Sequence, residues 1–361
     1  MVLADFLRKI DSFLIKYTFV PIGFVFKSIL GLFFKKHSSP KKILLVKLWA
    51  LGDSVIFHSF AKKVKECFTD AEIDILTKKS LIDVFKGSKF IHKVIPANFL
   101  NLIKLFRKYD LCFDGEFYLN ASALISAWAA KKTVGFSHGI RKILYDERVE
   151  FKMQHIVQNY LDFLRKLGFN VDLEELFHIH FSEKDLEVAK ELINYKESEK
   201  ILGISPGVGK TAKQRQWPKE RFAELIRIVH KKFDKVVIVD QDIKLCEEIY
   251  KLANVPNVAV VRKKLNIKEL AALLSLCDTF VSCDTGPMHL AAAQGCRVIG
   301  LFGPNTPALW RPYNKESTFV YKKMPCSPCI INKYGKIKKC KENICMNDIN
   351  IEDVLEAISL K

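Results

Sequence analysis

The chain of 361 residues is 49% hydrophobic and 27% charged, a composition that excludes intrinsic disorder and allows a sizeable core divided between two domains. Its 58 basic and 40 acidic residues give a formal net charge of +18, which favours an anionic partner such as a phosphorylated sugar lipid, nucleic acid or acidic membrane surface. No cleavable signal pattern is present, because Asp5 and Asp11 interrupt the start and no small-residue cleavage site follows. We therefore expect a protein of the cytosolic side.

Residues 1–41 form an apolar and basic segment that differs from the rest of the chain. Residues 13–34 are rich in Phe, Leu, Ile and Val but are interrupted by Lys16, Pro21 and Lys27. The longest uncharged piece, residues 17–26, is shorter than the ~20 residues that a membrane-spanning helix needs. Flanking cations instead predict an interfacial extension that associates with an anionic membrane, followed by a linker. The alternative is a helical hairpin packed on the protein itself.

From residue 42 onward, short apolar strands alternate with helical patterns, which predicts an α/β fold with parallel sheets covered on both faces. In an N-terminal domain, residues 42–180, we predict strands at 43–47, 73–77, 93–96 and 111–114 and helices at 55–67, 99–108 and 121–130. In a C-terminal domain, residues 181–361, we predict strands at 201–205, 235–239, 258–261, 279–283 and 297–301. Ligands of such sheets bind beyond the carboxyl ends of the strands, so the loops there are expected to line a cleft between the domains.

The first of these loops contains Asp53, directly after Gly52 and close to a predicted helix start. Asp is a favoured N-cap residue, so one interpretation is structural. The functional interpretation is a carboxylate at the cleft, placed to accept a proton from a substrate hydroxyl.

The second loop, residues 205–218, places glycines and the cations Lys213 and Arg215 directly after a strand. It is not a P-loop, because Gly207 and the Gly209-Lys210 pair are too close together for that motif. The loop is predicted either to meet phosphate oxygens through its cations or to be a solvated basic loop.

The third loop begins Asp284-Thr285-Gly286 and continues through His289 into an Ala-rich helix. Gly286 allows close backbone approach, and the exposed N–H groups of a helix start attract anions, so a phosphate or nucleotide site is expected here. A hydrolase triad of Ser282, Asp284 and His289 is disfavoured because no Gly-x-Ser-x-Gly elbow is present.

Together the three loops resemble glycosyltransferase family 9, the heptosyltransferases of lipopolysaccharide inner-core assembly. The resemblance covers roughly residues 42–358. It rests on the strand and Leu-Gly-Asp turn ending in Asp53, on the Pro-Gly and Trp-Pro-x-x-Arg-Phe segment between 206 and 222, and above all on residues 284–293 with Phe-Gly-Pro at 302–304.

The resemblance implies a GT-B fold, in which two Rossmann-like domains with parallel sheets face a central cleft. It also implies an inverting transfer of a heptose or related sugar from an ADP-sugar to an anionic lipid-linked saccharide, with no metal and no cofactor. Asp53 would be the general base. Lys213 or Arg215 would neutralise the departing ADP; the sequence leaves that choice open. The donor and its phosphates would be bound by Asp284, Thr285, Gly286 and His289.

The expected setting is peripheral, at the cytoplasmic face of the inner membrane, with the membrane surface as a partner and no nucleic acid. Two alternatives remain: a GT-B enzyme that uses another nucleotide sugar such as a UDP-sugar, and a basic nucleic-acid-binding protein, which no nucleic-acid motif supports. A further open question is whether four cysteines hold a structural zinc ion or are unligated; they are Cys326, Cys329, Cys340 and Cys345.

Overall fold

The structure is a computed structural model that describes residues 11, 17–33, 39–209, 213–340 and 342–359, without the side chains of residues 30–33. Much of the predicted N-terminal extension therefore lies outside the described residues. The chain divides into two compact units. The N-terminal unit runs to Leu173 and includes Asn332–Gly335, and the C-terminal unit covers Glu174–Ile331 and continues from Lys336.

The N-terminal unit contains a six-stranded sheet in the order β3-β2-β1-β4-β5-β6, with every neighbouring pair parallel. Its strands are β1 (Lys42–Val46), β2 (Glu72–Thr77), β3 (Lys93–Pro96), β4 (Tyr109–Asp114), β5 (Ala130–Phe136) and β6 (Glu147–Val149). Its helices are α1 (Val20–Phe33), α2 (Leu51–Cys67), α3 (Ile82–Phe85), α4 (Phe99–Lys104), α5 (Asn120–Ala129) and α6 (Ile156–Lys166).

The C-terminal unit contains a second six-stranded parallel sheet in the order β12-β11-β10-β7-β8-β9. Its strands are β7 (Ile201–Ser205), β8 (Lys235–Ile238), β9 (Val258–Val260), β10 (Thr279–Cys283), β11 (Arg297–Phe302) and β12 (Thr318–Tyr321), with a small antiparallel pair of β13 (Ile330–Ile331) and β14 (Lys336–Ile337). Its helices are α7 (Glu183–Leu192), α8 (Lys219–Val229), α9 (Ile243–Ala253), α10 (Ile267–Leu274), α11 (Gly286–Ala293), α12 (Pro307–Trp310), α13 (Ile344–Asn347) and α14 (Ile351–Ser359). Short 3-10 helices lie at Lys79–Leu81, Ile140–Leu144, Lys213–Arg215, His230–Lys232 and Asn332–Tyr334.

The central strands are apolar because both sheet faces are covered. In β1, the four residues from Ile43 to Val46 are fully buried, as expected of a parallel strand between two layers of helices. In the C-terminal unit, Trp217 is fully buried, packs edge-on against Phe222 and donates from its indole nitrogen to the carbonyl of Ile349 at 3.0 Å. The predicted α/β class is confirmed.

In each sheet the strand order reverses once. The reversal lies between β1 and β4 in the N-terminal unit and between β7 and β10 in the C-terminal unit. Chains leaving neighbouring strands at such a point diverge, so a crevice opens beyond their carboxyl ends, and ligands of open α/β sheets bind there.

No helix among the described residues is both long and apolar enough to cross a membrane.

Candidate functional site

In the N-terminal unit, a buried lysine lies at the point where the strand order reverses. Lys47 directly follows β1, and its side chain is fully buried. Its Nζ lies 3.3 Å from Oε1 of Glu116 and 3.7 Å from Oδ2 of Asp53, and it donates to the carbonyl of Gly115 at 3.2 Å. A buried ammonium requires such compensation, and here the carboxylate of Asp53 in the first turn of α2 and that of Glu116 in the loop after β4 provide it.

The two carboxylates that lie beside the Lys47 ammonium differ in solvent exposure. Glu116 is 1% exposed, and its Oε1 accepts from the backbone N–H groups of Leu48 at 2.6 Å and Trp49 at 2.9 Å. The side chain of Asp53 is 20% exposed. Glu116 therefore fixes the loop after β1, while Asp53 is the carboxylate that an incoming hydroxyl can reach.

The interpretation of Asp53 as the N-cap of the helix is wrong. The cap of α2 is Ala50, and Asp53 lies in the first turn, three residues further on. An acid in this turn still interacts favourably with the helix dipole. The N–H groups of that turn and the Lys47 ammonium place positive charge around the carboxylate.

In the C-terminal unit, a second cluster surrounds Asp284 at the carboxyl edge of β10. Arg215 lies in the short helix after β7; its Nη1 donates to the backbone oxygen of Asp284 at 3.1 Å and lies 3.4 Å from Oδ2. Asn305, beyond β11, donates to the same Oδ2 at 2.7 Å. Asp284 is 4% exposed, and its ion pair with Arg215 fixes the position of the guanidinium.

The predicted helix start is present in α11. Thr285 is its N-cap residue but makes no side-chain cap; its hydroxyl lies 3.2 Å from the carbonyl of Cys283 and 3.3 Å from the Ser282 hydroxyl. Pro287, the second residue of the helix, has no N–H, so the uncapped donors of the first turn are the N–H groups of Gly286 and Met288, which are suited to an anion.

His289, in the first half of α11, lies buried within electrostatic range of Asp284 and Arg215. It is 3% exposed, its ring lies edge-on to Trp310, and burial lowers its pKa to about 4, although Asp284 acts in the opposite direction. At neutral pH the imidazole is uncharged, so it contributes no cation to a phosphate. Among the described residues, its Nδ1 and the Nε of Arg215 are buried and lack hydrogen-bond partners. Buried polar atoms of this kind are rare, and a bound ligand would satisfy them.

We expect the burial of His289 to be visible in the pH dependence of stability. An unfolded histidine titrates near pH 6.5, so the folded state keeps its full stability above that pH and loses it as the pH falls toward 4. Lowering the pH from about 7.5 to about 5.5 should cost the native protein ~1 kcal/mol more than the His289→Gln variant. Urea unfolding at both pH values measures this, and equal losses in the two proteins would contradict a buried, neutral imidazole.

Lys213 lies in the same short helix as Arg215 but in a different environment. It lines a cavity of about 480 Å³ with Lys338 and Lys339, and none of the described residues that line this cavity is acidic. Residues 210–212, which precede it, lie outside the described part of the chain. The structure therefore separates the two candidate cations: Arg215 belongs to the Asp284 cluster and Lys213 to a cationic cavity.

The four C-terminal cysteines are unequal in exposure: Cys326 and Cys340 are exposed, Cys329 is half-buried and Cys345 is buried. Burial, reinforced by the other three thiols, raises the pKa of Cys345 to about 11, which favours the protonated thiol. Within the described residues, no group of three or more His, Cys, Asp or Glu side chains is placed to hold a metal ion.

Three residues of these clusters received no role from the sequence: Lys47, Glu116 and Asn305. Their positions did offer a signal, since each stands within three residues of the carboxyl end of a buried apolar strand. That edge binds ligands in parallel sheets.

Comparison with known proteins identifies the family of the chain. The sequence profile of glycosyltransferase family 9 (heptosyltransferase) matches residues 101–339, about two thirds of the chain. Lipooligosaccharide heptosyltransferase 2 of Campylobacter jejuni subsp. jejuni serotype O:2 is 27% identical over 324 residues, which cover 85% of this chain and 93% of that protein.

Two solved structures have the same fold. A family 9 glycosyltransferase from Veillonella parvula superposes with a TM-score of 0.72 at 22% identity, covering 88% of this chain and 95% of its own. The E. coli ADP-heptose lps heptosyltransferase II gives a TM-score of 0.70 at 19% identity, covering 88% and 97%. The predicted two-domain GT-B architecture is confirmed. The chain belongs to glycosyltransferase family 9, the heptosyltransferase family, and is a glycosyltransferase.

Proposed function

We propose that this glycosyltransferase moves a heptose from an ADP-linked donor to the inner core of a lipopolysaccharide or a similar anionic lipid-linked saccharide, with inversion at the anomeric carbon. The proposed setting is the cytoplasmic face of the inner membrane, with the enzyme bound peripherally. Family membership and the heptosyltransferase relatives support the transferred sugar, and the name of the E. coli structural neighbour supports the ADP donor.

The observation that carries the proposal is the Asp284 cluster. The guanidinium of Arg215, whose Nε is buried without a partner among the described residues, is held beside the uncapped start of α11. A guanidinium and the uncapped N–H groups of a helix start are donors suited to a diphosphate. Thr285 and Gly286 would contact the phosphates, while Asp284 and His289 would hold the cluster together from inside.

The N-terminal unit supplies the base in this proposal. Asp53 accepts the proton of the acceptor hydroxyl, and the resulting oxygen attacks the anomeric carbon of the donor. The bond between that carbon and the diphosphate oxygen breaks, and ADP leaves with the electron pair. Arg215 and the N–H groups at the start of α11 stabilise the negative charge that develops on the departing ADP.

A thermal-shift screen of nucleotides and nucleotide sugars tests the donor. A ligand at ~100 times its dissociation constant stabilises the folded state by about 2.7 kcal/mol, which corresponds to a Tm rise of several degrees for domains of this size. We expect ADP and ADP-heptose to produce that rise and UDP and GDP to produce little. A larger rise with UDP or a UDP-sugar would overturn the ADP donor and favour the alternative GT-B enzyme.

Transfer itself is tested by incubating the protein with ADP-heptose and a heptose-deficient core saccharide. The mass of the product is then measured by mass spectrometry. The expected product is heavier by one heptose residue. Tight, salt-sensitive binding to DNA without any response to nucleotide sugars would favour the nucleic-acid alternative, which family membership makes the weaker one.

A further inference from the structure

One side of the N-terminal unit is apolar and exposed over two separate helices. On α1, the exposed fractions are 60% for Ile22, 57% for Val25 and 52% for Ile29, and on α4 they are 76% for Phe99 and 68% for Leu100. No residue of α4 is buried. Soluble monomers rarely expose large side chains in such groups, and the exposed groups often mark an interaction site.

An aromatic cluster joins the two helices into one surface. The ring of Phe26 on α1 lies 6.1 Å from that of Trp128 and 6.2 Å from that of Phe106. The rings of Trp128 and Phe106 are 4.3 Å apart. Trp128 also donates from its indole nitrogen to the carbonyl of Leu102 on α4 at 3.0 Å. An apolar cavity of about 330 Å³ opens among these groups. We call this surface, formed by the exposed residues of α1 and α4 and the cluster between them, the α1–α4 face.

The orientation of α1 is the opposite of what a soluble surface helix adopts. Its one charged residue, Lys27, turns toward the protein, where its Nζ lies 2.7 Å from Asp146 and donates to Thr133 at 2.8 Å. Val20 is fully buried, and a Cβ on Gly23 would come within 2.6 Å of Leu124. A surface helix in water normally buries its apolar side and exposes its charges. The outward side of α1 is instead suited to hydrocarbon.

A second cationic cavity, separate from the one that Lys213 lines, adjoins the α1–α4 face. It has a volume of about 330 Å³ and shares Phe24 of α1 with the apolar surface. Four cations and one carboxylate line it: Lys27, Arg107, Lys131, Arg148 and Asp146. Lys27 pairs with Asp146, and Lys131 pairs with Asp110 at 2.9 Å, so Arg107 and Arg148 carry the excess positive charge. Positive charge next to an apolar surface matches a lipid, whose phosphate lies directly above its acyl chains.

We propose that the α1–α4 face and the cationic cavity together bind an anionic phospholipid bilayer. The apolar side chains enter the acyl boundary while the cavity takes a lipid phosphate. A second copy of the chain fits less well, because each copy carries a net charge of +18. The inference rests on the proposed function, in which the acceptor is lipid-linked, and it assigns the membrane contact to α4 and Trp128 as well as to the N-terminal segment.

Vesicle flotation of the full-length protein, without donor or acceptor, tests the inference. We expect the protein to float with phosphatidylcholine vesicles that contain one third phosphatidylglycerol and to bind pure phosphatidylcholine at least about fivefold more weakly. Phe99→Glu and Arg148→Glu should each weaken binding to the anionic vesicles by at least about fivefold. Phe99 lies outside the N-terminal segment, so an anchor confined to residues 1–36 would leave Phe99→Glu unaffected.

Matched controls come from the C-terminal unit. Ile228, on α8, is 46% exposed, and Lys264 is an exposed cation, so Ile228→Glu and Lys264→Glu repeat the two changes elsewhere. Both should bind vesicles as the native protein does. The inference fails if the native protein binds no vesicles, if neutral vesicles bind equally well, or if Phe99→Glu behaves like Ile228→Glu. It also fails if Phe99→Glu only turns a dimer into a monomer in sedimentation.

The same preparations separate this inference from the proposed function. Thermal shift with ADP is measured on the native protein and on both face variants. A protein that binds anionic vesicles but shows no response to any ADP-sugar refutes the proposed donor and leaves the bilayer face standing. A protein that responds to ADP but shows no vesicle binding refutes the bilayer face alone.

Discussion

Replacing Asp53 by asparagine is expected to lower the kcat of glycosyl transfer by about 10³-fold, the size of effect typical of losing a general base. Affinity for ADP should stay within about twofold, because ADP is assigned to a cluster in the other unit. Asparagine has nearly the same shape and keeps an oxygen for Lys47, whose Nζ lies 3.7 Å from the carboxylate. The variant therefore removes the proton acceptor and leaves most of the surrounding contacts.

Two controls distinguish the base from simpler roles of Asp53. Asp83 also lies in the first turn of a helix, so Asp83→Asn measures what the loss of a helix-dipole contact costs, about 0.3–1 kcal/mol of stability. Glu116→Gln removes the other carboxylate from Lys47 while its oxygen can still accept from the two backbone N–H groups. We expect near-normal kcat for Asp83→Asn and a smaller loss for Glu116→Gln than for Asp53→Asn. Near-normal turnover of Asp53→Asn would eliminate it as the base.

The strands at the centre of both sheets could be predicted because both their faces are buried. β1 is an uninterrupted apolar run from Ile43 to Val46, and β10, which is apolar except for Thr279 and Ser282, is predicted with its observed bounds of Thr279–Cys283. The strands that the prediction missed include β6 and β12, which form sheet edges. β6 carries charge at two of its three positions, Glu147 and Arg148, so its sequence shows no apolar run, whereas the edge strands β3 and β9 lack such a charge pair and were predicted.

β5 was missed for a different reason. α5 ends at Ala129 and β5 begins at Ala130, so no turn residue marks the change from helix to strand. Lys131 and Lys132 also interrupt the apolar pattern of the strand. The helix predicted at 99–108 ends earlier, at Lys104, and its apolar residues face outward, where periodicity alone would place them toward the core.

The reactive groups of the site were only partly predictable. Asp53, Arg215 and Asp284 stand in loops whose position after a strand can be recognised from sequence. Lys47 stands at the same kind of position, but its burial could not be predicted, because it depends on Gly115 and Glu116, far away in sequence but adjacent across the β1–β4 pair. Local hydropathy predicts an exposed lysine. Only the tertiary contacts with Asp53, Glu116 and Gly115 offset the cost of removing the ammonium from water.

Replacing Arg215 by glutamine should lower kcat by about 10²-fold, since the guanidinium is assigned to the charge that develops on departing ADP. Lys213→Gln makes the matching change in the same short helix and should leave kcat within about threefold, because Lys213 lines a separate cavity. Steady-state kinetics with ADP-heptose compare the two. The opposite order would assign the phosphate role to Lys213.

Loss of Arg215 also removes the ion pair of a buried carboxylate, so a fall in activity could come from local unfolding rather than from the missing cation. Asp284 is 4% exposed, and an uncompensated buried charge costs several kcal/mol. Adding Asp284→Asn to Arg215→Gln removes that charge and should restore the melting temperature of the single variant. If activity returns together with stability, Arg215 is only structural. If stability returns and activity stays well below that of Asp284→Asn alone, the guanidinium itself acts on the donor, and this second result is the one that its geometry beside the uncapped start of α11 predicts.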